Sequence, residues 1–199
     1  MKKILFSIGF LFSISVSFSQ SFMHGAGVGI FVTKAPAGDA TPAFSLSYSP
    51  RINFVETDGM SISAGIPFNI GFSGSYYAEY NSRSGGYEEN SLGAFINAPA
   101  MLNLNIGAGS TPDNESRAGF FVGAGYGLHW GDYGQMIADD YYGSVYDKKY
   151  GTGFGPAFNA GGRIAVGSNN KNIEIRLSYM RTKLENVMQA YGVNVYFNF

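Results

Sequence analysis

Hydrophobic and polar residues alternate with a period of two along most of the chain after residue 22. Between Met60 and Ser73, for example, every even position is apolar, while the odd positions carry mostly Ser, Gly and Asn. Period-two alternation is typical of β-strands, and no helical period of useful length is present. The pattern predicts an all-β fold with eight strands, at about 23–32, 43–55, 60–73, 93–106, 118–130, 153–166, 172–182 and 187–199.

The composition indicates which face of these strands meets the solvent. Charged residues make up 14% of the chain, against roughly 25% in an average globular protein. The polar faces are therefore too poor in charge for a water-exposed sheet, but small neutral residues suit the interior of a narrow barrel. An even number of strands with apolar residues outside is typical of outer-membrane barrels, which leave no unpaired edge in the hydrocarbon. We predict a transmembrane antiparallel up-and-down β-barrel of eight strands, with a secreted β-sandwich or lipocalin-like barrel as the alternative.

The N-terminus has the form of a secretory signal peptide. Lys2 and Lys3 precede a thirteen-residue apolar run, and small residues lie at the −3 and −1 positions of a cleavage after Ser19. We expect residues 1–19 to be removed and residues 20–199 to form the barrel domain; a buried N-terminal helix or strand is the alternative. A net charge of −1 without a basic stripe argues against a nucleic-acid partner.

The connections support one orientation of the barrel. If both termini lie in the periplasm, the periplasmic turns are 56–59, 107–117 and 167–171, and the external loops are 33–42, 74–92, 131–152 and 183–186. Outer-membrane barrels have short periplasmic turns and longer external loops, and both of the longest connections are external here. The turn 107–117 is longer than this rule leads us to expect.

Backbone details follow from the same pattern. A three-residue loop over 57–59 would pair Glu56 with Met60 and keep the faces aligned, with Gly59 in the left-handed conformation. Proline removes a ladder hydrogen bond, so we expect bulges or strand ends at four positions inside the predicted strands. These positions are Pro50, Pro67, Pro99 and Pro156.

Four charged residues are expected to face the lumen: Arg51, Arg163, Glu174 and Arg176. They form either a structural network that fills the barrel or an ion pathway or ligand site. Because like charges should not lie directly opposite, we predict a register that pairs Arg163 with Glu174 rather than with Arg176. Three arginines and one glutamate leave positive charge unmatched, so Asn side chains, water or an acidic loop residue must contribute.

Glycines repeat on the inward face of the first and fifth predicted strands. They either make room for bulky side chains of other strands or line a small water-filled space. The two long external loops contain nine of the fourteen tyrosines together with several acidic residues. Tyrosine is common at recognition surfaces and in the aromatic girdles of membrane barrels, and both interpretations stay open. The candidate binding surface comprises Tyr76, Tyr77, Tyr80, Tyr87, Tyr133, Tyr141, Tyr142 and Tyr146.

The sequence offers little for catalysis or for a cofactor. His129 lies near the external rim beside Trp130 and Asp132, but no Ser follows it two residues later and no triad is completed. His24 is expected on the lipid side near the periplasmic end. The carboxylates of 131–152 lack the spacing of an EF-hand calcium loop. We expect no catalytic residues, no cofactor and no metal site.

The chain ends on an alternating aromatic and aliphatic run formed by Tyr191, Val193, Val195, Phe197 and Phe199. With the signal peptide and eight strands, this end resembles the small OmpA/OmpX-type outer-membrane barrels. The resemblance implies the outer membrane of a Gram-negative cell, contact with outer-membrane lipid and lipopolysaccharide, and recognition of the C-terminal run by the barrel-assembly machinery. Because the sequence stops at the eighth predicted strand, we expect it to lack the periplasmic peptidoglycan-binding domain of some relatives.

Three classes of function follow from these observations. The first is a structural or adhesive barrel whose Tyr- and acid-rich external loops bind a ligand that the sequence does not identify. The second is a small channel for ions or small solutes, and the third is an outer-membrane lipid-modifying enzyme. We expect the first and expect that the protein is not an enzyme.

Overall fold

The computed structural model describes residues 20–34, 40–79, 87–140, 143–167, 171–183 and 187–199. Backbone alone is described at 74–79, 87–92, 132–140, 143–149 and 187. Within these ranges no helix has the length and apolar character needed to cross a bilayer.

Eleven strand segments are present in these ranges. They are β1 (Ser21–Met23), β2 (Gly25–Lys34), β3 (Ala40–Tyr48), β4 (Arg51–Thr57), β5 (Met60–Gly65), β6 (Phe68–Glu79), β7 (Tyr87–Gly107), β8 (Ala118–Asp140), β9 (Gly143–Ala165), β10 (Asn172–Lys183) and β11 (Val187–Asn198). One or two residues separate β1 from β2, β3 from β4 and β5 from β6, so each of these pairs forms a single barrel strand. The fold is therefore all-β with eight barrel strands, as predicted.

The eight strands close into an antiparallel up-and-down barrel. Neighbours in sequence pair with each other, and β11 pairs with β2 through partners such as Val193 and Ile30. Following the paired residues once around the barrel leads from Thr33 back to Met23 on the same barrel strand, a stagger of ten residues. The path runs through Thr33, Ala190, Met180, Ala157, Gly125, Met101, Gly65, Arg51 and Met23. Every barrel strand thus has two neighbours and the sheet has no free edge at this level.

The apolar faces point outward and the polar faces point into the lumen, as expected for a barrel in lipid. Leu177 in the middle of β10 is 57% exposed, whereas Glu174 on the other face of the same strand is fully buried. Ser, Asn and Arg dominate the buried polar side chains, and Ile, Val, Leu and Phe dominate the exposed apolar ones. This is the inverse of a soluble barrel, so the alternative of a secreted β-sandwich or lipocalin-like barrel is wrong.

Prolines explain two of the breaks in the strands. Pro50 lies between β3 and β4, and Pro67 lies between β5 and β6, as predicted. The register places Pro67 opposite Pro99 of β7. Neither residue has an N–H, so the ladder between these strands stops there and resumes at Asn69.

Pro99 and Pro156 do not end strands, and the prediction of strand ends or bulges there is wrong. Pro99 pairs with Gly127, and Pro156 pairs with Tyr126, within continuous stretches of β7, β8 and β9. Each proline instead interrupts the ladder on its other side. For Pro156, this interruption is the gap between Ala157 and Phe154 in the pairing of β9 with β10. A strand in a barrel has two neighbours, and one ladder holds it in place while the other is interrupted.

The connection between β4 and β5 differs from the predicted three-residue loop. Thr57 pairs with Met60, so the turn consists of Asp58 and Gly59 alone. A β-bulge between Asn53 and Val55 supplies the parity change that the shorter turn requires. Gly59 has a φ of +83°, which confirms its left-handed conformation.

Two predicted external loops are largely strand. The predicted loop 74–92 contains the end of β6 and the start of β7, which pair up to Glu79 and Tyr87. The predicted loop 131–152 contains β8 and β9 pairing up to Asp140 and Gly143. Beyond the bilayer both faces of a strand meet water, so the alternation disappears from the sequence while the backbone ladder continues.

Candidate functional site

The four predicted lumen charges meet around the carboxylate of Glu174. Arg163 Nε lies 2.6 Å from Glu174 Oε2, and Arg176 approaches Glu174 Oε1 through Nε at 2.8 Å and Nη2 at 2.5 Å. Arg51 Nη1 lies 3.6 Å from Glu174 Oε2. All four side chains are buried, and they come from β4, β9 and β10.

The register that joins β9 to β10 creates one of these pairs. Glu174 lies directly opposite Arg163, and Arg176 lies opposite Gly161. The predicted register is therefore confirmed, and like charges do not face each other across the ladder. A slip of two residues would have placed Arg163 against Arg176.

The remaining positive charge is met by a backbone carbonyl and by aromatic rings. Gly109 O accepts hydrogen bonds from Arg51 Nη2 at 2.7 Å and from Arg163 Nη1 at 3.3 Å. The guanidinium of Arg163 stands 4.4 Å from the ring centroid of Phe121, and that of Arg176 stands 4.5 Å from the ring of Tyr196. Arginine over an aromatic face is a favourable cation–π arrangement.

Asparagine amides complete the network, as the sequence required. Asn105 Oδ1 accepts from Arg163 Nη1 at 3.0 Å. Asn198 Nδ2 donates to Asn172 Oδ1 at 2.6 Å and to Glu174 Oε2 at 3.3 Å. We call these buried groups around Glu174, together with its three arginines, the Glu174 network.

The turn 107–117 folds into the mouth of the barrel at the end that holds the described termini, which the predicted orientation places in the periplasm. Ala108, Ser110 and Thr111 are buried, and Ser110 O accepts from Asn53 Nδ2 at 2.8 Å and from Ser61 Oγ at 2.5 Å. This explains why the turn is longer than a periplasmic turn should be, since its first residues act as a plug. We call residues 107–111 the periplasmic plug.

Two glycines allow the plug to turn inward. Gly107 and Gly109 have φ values of +75° and +66°, which side chains rarely adopt. A Cβ on Gly109 would also lie 2.6 Å from Asn172 Nδ2. Sequence reasoning did not assign a role to this plug, although the Gly-Ala-Gly spacing was the available signal.

Inward glycines serve to accommodate bulky neighbours, which settles the open alternative for both glycine repeats. Gly27 of β2 abuts Tyr196, Gly29 abuts Asn194, and Gly123 of β8 abuts Asn103 and Asn159. These repeats do not line a water-filled space in the described part of the lumen.

The external half of the lumen contains two buried apolar clusters. One buried cluster contains Met101, Ala157, Met180 and Ala190, and another contains Phe31, Ala43 and Phe95. The cavity in mid-lumen that borders Met101 and Asn159 measures about 20 Å³. That is room for about one water molecule, so the lumen is closely packed at this level.

The two histidines lie in different surroundings. His129 is buried, stacks on Phe95 with ring centroids 5.5 Å apart, and its Nδ1 lies 3.3 Å from Asn97 Nδ2. His24 lies at the barrel wall against Phe199 and Tyr48. In the described ranges no three metal-ligating side chains come together.

Only some residues of the candidate tyrosine surface lie in the part of the chain that the structure describes. Tyr76 and Tyr77 lie on β6, Tyr87 on β7, Tyr133 on β8 and Tyr146 on β9. The register opposes Tyr77 to Glu89, Glu79 to Tyr87 and Tyr133 to Lys149. Tyr80, Tyr141 and Tyr142 lie outside the described residues.

The C-terminal run occupies β11 and the residue after it. Its five side chains are all outward and between 44% and 53% exposed: Tyr191, Val193, Val195, Phe197 and Phe199. They lie on the strand that pairs with β2, and this pairing closes the barrel. Recognition by assembly machinery stays a prediction.

Comparison with known proteins identifies solved structures with a similar fold. No protein-family model matches the chain, and no curated protein matches it either. Among solved structures, Neisserial surface protein A is similar to it with 14% identity and a TM-score of 0.57, over 91% of this chain and 98% of that one. Ail of Yersinia pestis in complex with the heparin analogue sucrose octasulfate has 14% identity and a TM-score of 0.46, over 92% and 100%. The N-terminal barrel domain of Pseudomonas aeruginosa OprF has 14% identity and a TM-score of 0.39, over 90% and 100%.

These structural neighbours are small eight-stranded outer-membrane barrels. The similarity to Neisserial surface protein A concerns the fold, and it agrees with the lipid-compatible wall and the filled lumen of this chain. The chain has the fold of these barrels, an eight-stranded antiparallel β-barrel with an apolar outer wall.

Proposed function

We propose that the protein is a surface-recognition barrel that binds a ligand outside the cell through two β-hairpins. The pairing of β7 with β8 ends at Ile96 and Trp130. Beyond that point β6 pairs with β7 as far as Glu79 and Tyr87, and β8 pairs with β9 as far as Asp140. This extension beyond the closed barrel is the observation that carries the proposal. We call the extended parts the external hairpins.

The chemistry of the external hairpins suits a cationic partner. The segment 74–92 contains three Glu and one Arg, and the segment 131–152 contains four Asp and two Lys. Tyrosines among these acids supply apolar area with a hydrogen-bonding hydroxyl at low entropic cost. The proposed ligand is therefore a positively charged polymer or protein surface.

Truncation of the external hairpins tests this proposal. Replacing residues 75–91 by Asn-Gly would join the paired residues Gly74 and Leu92, and replacing 132–150 by Asn-Gly would join Gly131 and Gly151. Protein in nanodiscs should bind immobilised poly-lysine but not poly-glutamate, and the double truncation should lower binding at least tenfold. Heat-modifiable gel mobility would show that the truncated barrel folds.

A control variant at the opposite end of the barrel separates the hairpins from general acidity. Asp58→Asn, Asp113→Asn and Glu115→Gln remove three carboxylates at the opposite end of the barrel, and this variant should bind poly-lysine as the wild type does. Full binding by the double truncation, or no binding of poly-lysine by the wild type, would contradict the proposal.

A small channel is the second candidate, and the filled lumen argues against a wide one. With a mid-lumen cavity of about 20 Å³ and the plug at the periplasmic mouth, purified protein should give no stable nanosiemens channels in planar bilayers. The expectation that the protein is not an enzyme stays a prediction.

A further inference from the structure

The charges buried in the described part of the lumen do not balance. Arg51, Arg163 and Arg176 are buried there, and Glu174 is the one buried carboxylate among the described residues. The carbonyl of Gly109 and the aromatic rings beside the arginines stabilise positive charge as dipoles or quadrupoles, but they carry no net charge of their own. Two positive charges therefore remain in an interior where uncompensated charge is costly.

The mid-lumen cavity lies beside one of these arginines. Arg176 borders the cavity together with Asn159 and Tyr196, and none of the described residues that border it is acidic. Its volume of about 20 Å³ admits one small particle, and a halide ion is only slightly larger than a water molecule. A single small anion in this cavity would lie close to the excess positive charge.

Asn159 is a buried side chain at this cavity whose hydrogen-bonding capacity is unfilled. It is 7% exposed, and neither its Nδ2 nor its Oδ1 has a partner among the described residues. Its Oδ1 lies against β8, since a Cβ on Gly123 would be 2.5 Å from it. The Nδ2 at the other end of the amide is therefore directed away from β8, toward the side of β9 that pairs with β10 and carries Arg176 nearby.

A neighbouring amide can satisfy the oxygen of Asn159. Asn103 Oδ1 also lies against Gly123, and it has no partner among the described residues. The oxygen and nitrogen of an amide are nearly the same in shape, so turning the Asn103 amide brings its Nδ2 toward Asn159 Oδ1. The Nδ2 of Asn159 still lacks an acceptor after this rotation, and an N–H donor at the cavity calls for an acceptor inside it.

The other amides at the cavity offer donors rather than acceptors. Asn69 Oδ1 already accepts from Ser47 Oγ at 2.7 Å and from Tyr196 Oη at 3.4 Å. Asn97 Nδ2 lies 3.3 Å from Met180 Sδ, and a thioether sulfur is a weak acceptor. N–H groups beside a guanidinium are the surroundings that an anion prefers.

We propose that the mid-lumen cavity binds one monovalent anion of the size of chloride, held by the guanidinium of Arg176 and by Nδ2 of Asn159. An anion there offsets one of the two excess positive charges, whereas a water molecule offsets neither. The attraction is strong because a buried site has a low effective dielectric constant. The lumen is closely packed at this level, so the ion is taken up as the barrel folds. The inference concerns the lumen and is independent of ligand binding by the external hairpins.

Urea unfolding measures whether folding takes up a halide ion. The full chain is refolded into phosphatidylcholine vesicles in mixtures of sodium bromide and sodium gluconate at constant total salt, because gluconate is too large for the cavity. Above the Kd of the site, each tenfold rise in bromide should lower the unfolding constant about tenfold, since one ion binds the folded state alone. An unfolding constant that does not depend on bromide would overturn the proposal.

Variants separate an ion site from general effects of salt. Asn159→Asp puts a fixed negative charge where the anion would lie, so its unfolding constant should not depend on bromide and should be lower than that of the wild type in gluconate alone. Asn159→Leu removes the donor and should also lose the dependence. Asn53→Leu removes a buried amide at the periplasmic plug, away from the cavity, and should keep it. Equal dependence in the wild type and Asn159→Asp, or its loss in Asn53→Leu, would contradict the proposal.

Anomalous diffraction from crystals grown in bromide locates the ion directly. A bromide peak between Arg176 and Asn159 is expected in the wild type, and it should be absent from Asn159→Leu. A wild-type cavity that holds a water molecule and no bromide would overturn the proposal, whatever the unfolding experiments show.

Discussion

The periplasmic half of the lumen is rich in charge, whereas the external half is built around two apolar clusters. The periplasmic half is held by the Glu174 network and by the plug carbonyl of Gly109. The external half is held by packing of Met101, Met180 and Phe95. Charged groups depend on directional partners, whereas apolar side chains depend only on filling the volume. The periplasmic half should therefore tolerate substitution much less.

Loss of the central carboxylate should have the largest effect. Glu174→Gln keeps the shape of the side chain but leaves three buried arginines without a counter-charge. Breaking a buried ion pair by removing one partner costs about 3–5 kcal/mol, and we expect that loss in the free energy of unfolding from lipid vesicles. Glu56→Gln is the control, since Glu56 accepts hydrogen bonds only from Ser21 and Asn53 among the described residues. Equal losses in both variants would contradict the central role of Glu174.

A charge on the outer wall should have the next largest effect. Leu177 lies in the middle of β10 on the exposed apolar face, and a charged residue facing lipid at mid-depth costs about 2–4 kcal/mol. Leu177→Arg should lower the free energy of unfolding by that amount in reversible folding experiments. Ser178→Asn, on the lumen face, should be tolerated much better. A harmless Leu177→Arg together with a severe Ser178→Asn would invert the assignment of faces.

The plug should be sensitive to a single methyl group. Gly109→Ala places a side chain at a φ of +66°, which costs about 1–2 kcal/mol, and crowds Asn172 as well. Gly167→Ala is the matched control, because its φ is +71° and nothing lies within 4 Å of the added carbon. Thermal unfolding should show the larger loss for Gly109→Ala. Identical losses would mean that packing of the plug against Asn172 contributes nothing.

The external half should tolerate a change of shape. Met101→Leu conserves volume in a buried apolar cluster, so the loss should stay below about 1.5 kcal/mol. Urea unfolding in the same vesicles measures it. A loss as large as that of Glu174→Gln would remove the difference between the two halves of the lumen.

Much of the barrel follows from local pattern. The period-two alternation identified eight strands and the direction of each face, because a lipid-facing wall and a filled lumen impose opposite demands on successive residues. Avoidance of like charges identified the partner of Arg163. Where the alternation ends, this signal ends too, which is why the paired backbone of the external hairpins was predicted as loop.

Tertiary structure alone decided how the buried charges are satisfied and how the barrel is sealed. Gly109 O and the rings of Phe121 and Tyr196 are distant in sequence from the arginines they contact. The two-residue turn at Asp58 and its compensating bulge are likewise a joint solution that no local signal distinguishes from a longer loop. Alternation is a property of each strand by itself, so the sequence determined the strands and their faces. Closure of the barrel brings eight inward faces together, and only that geometry determines which groups meet.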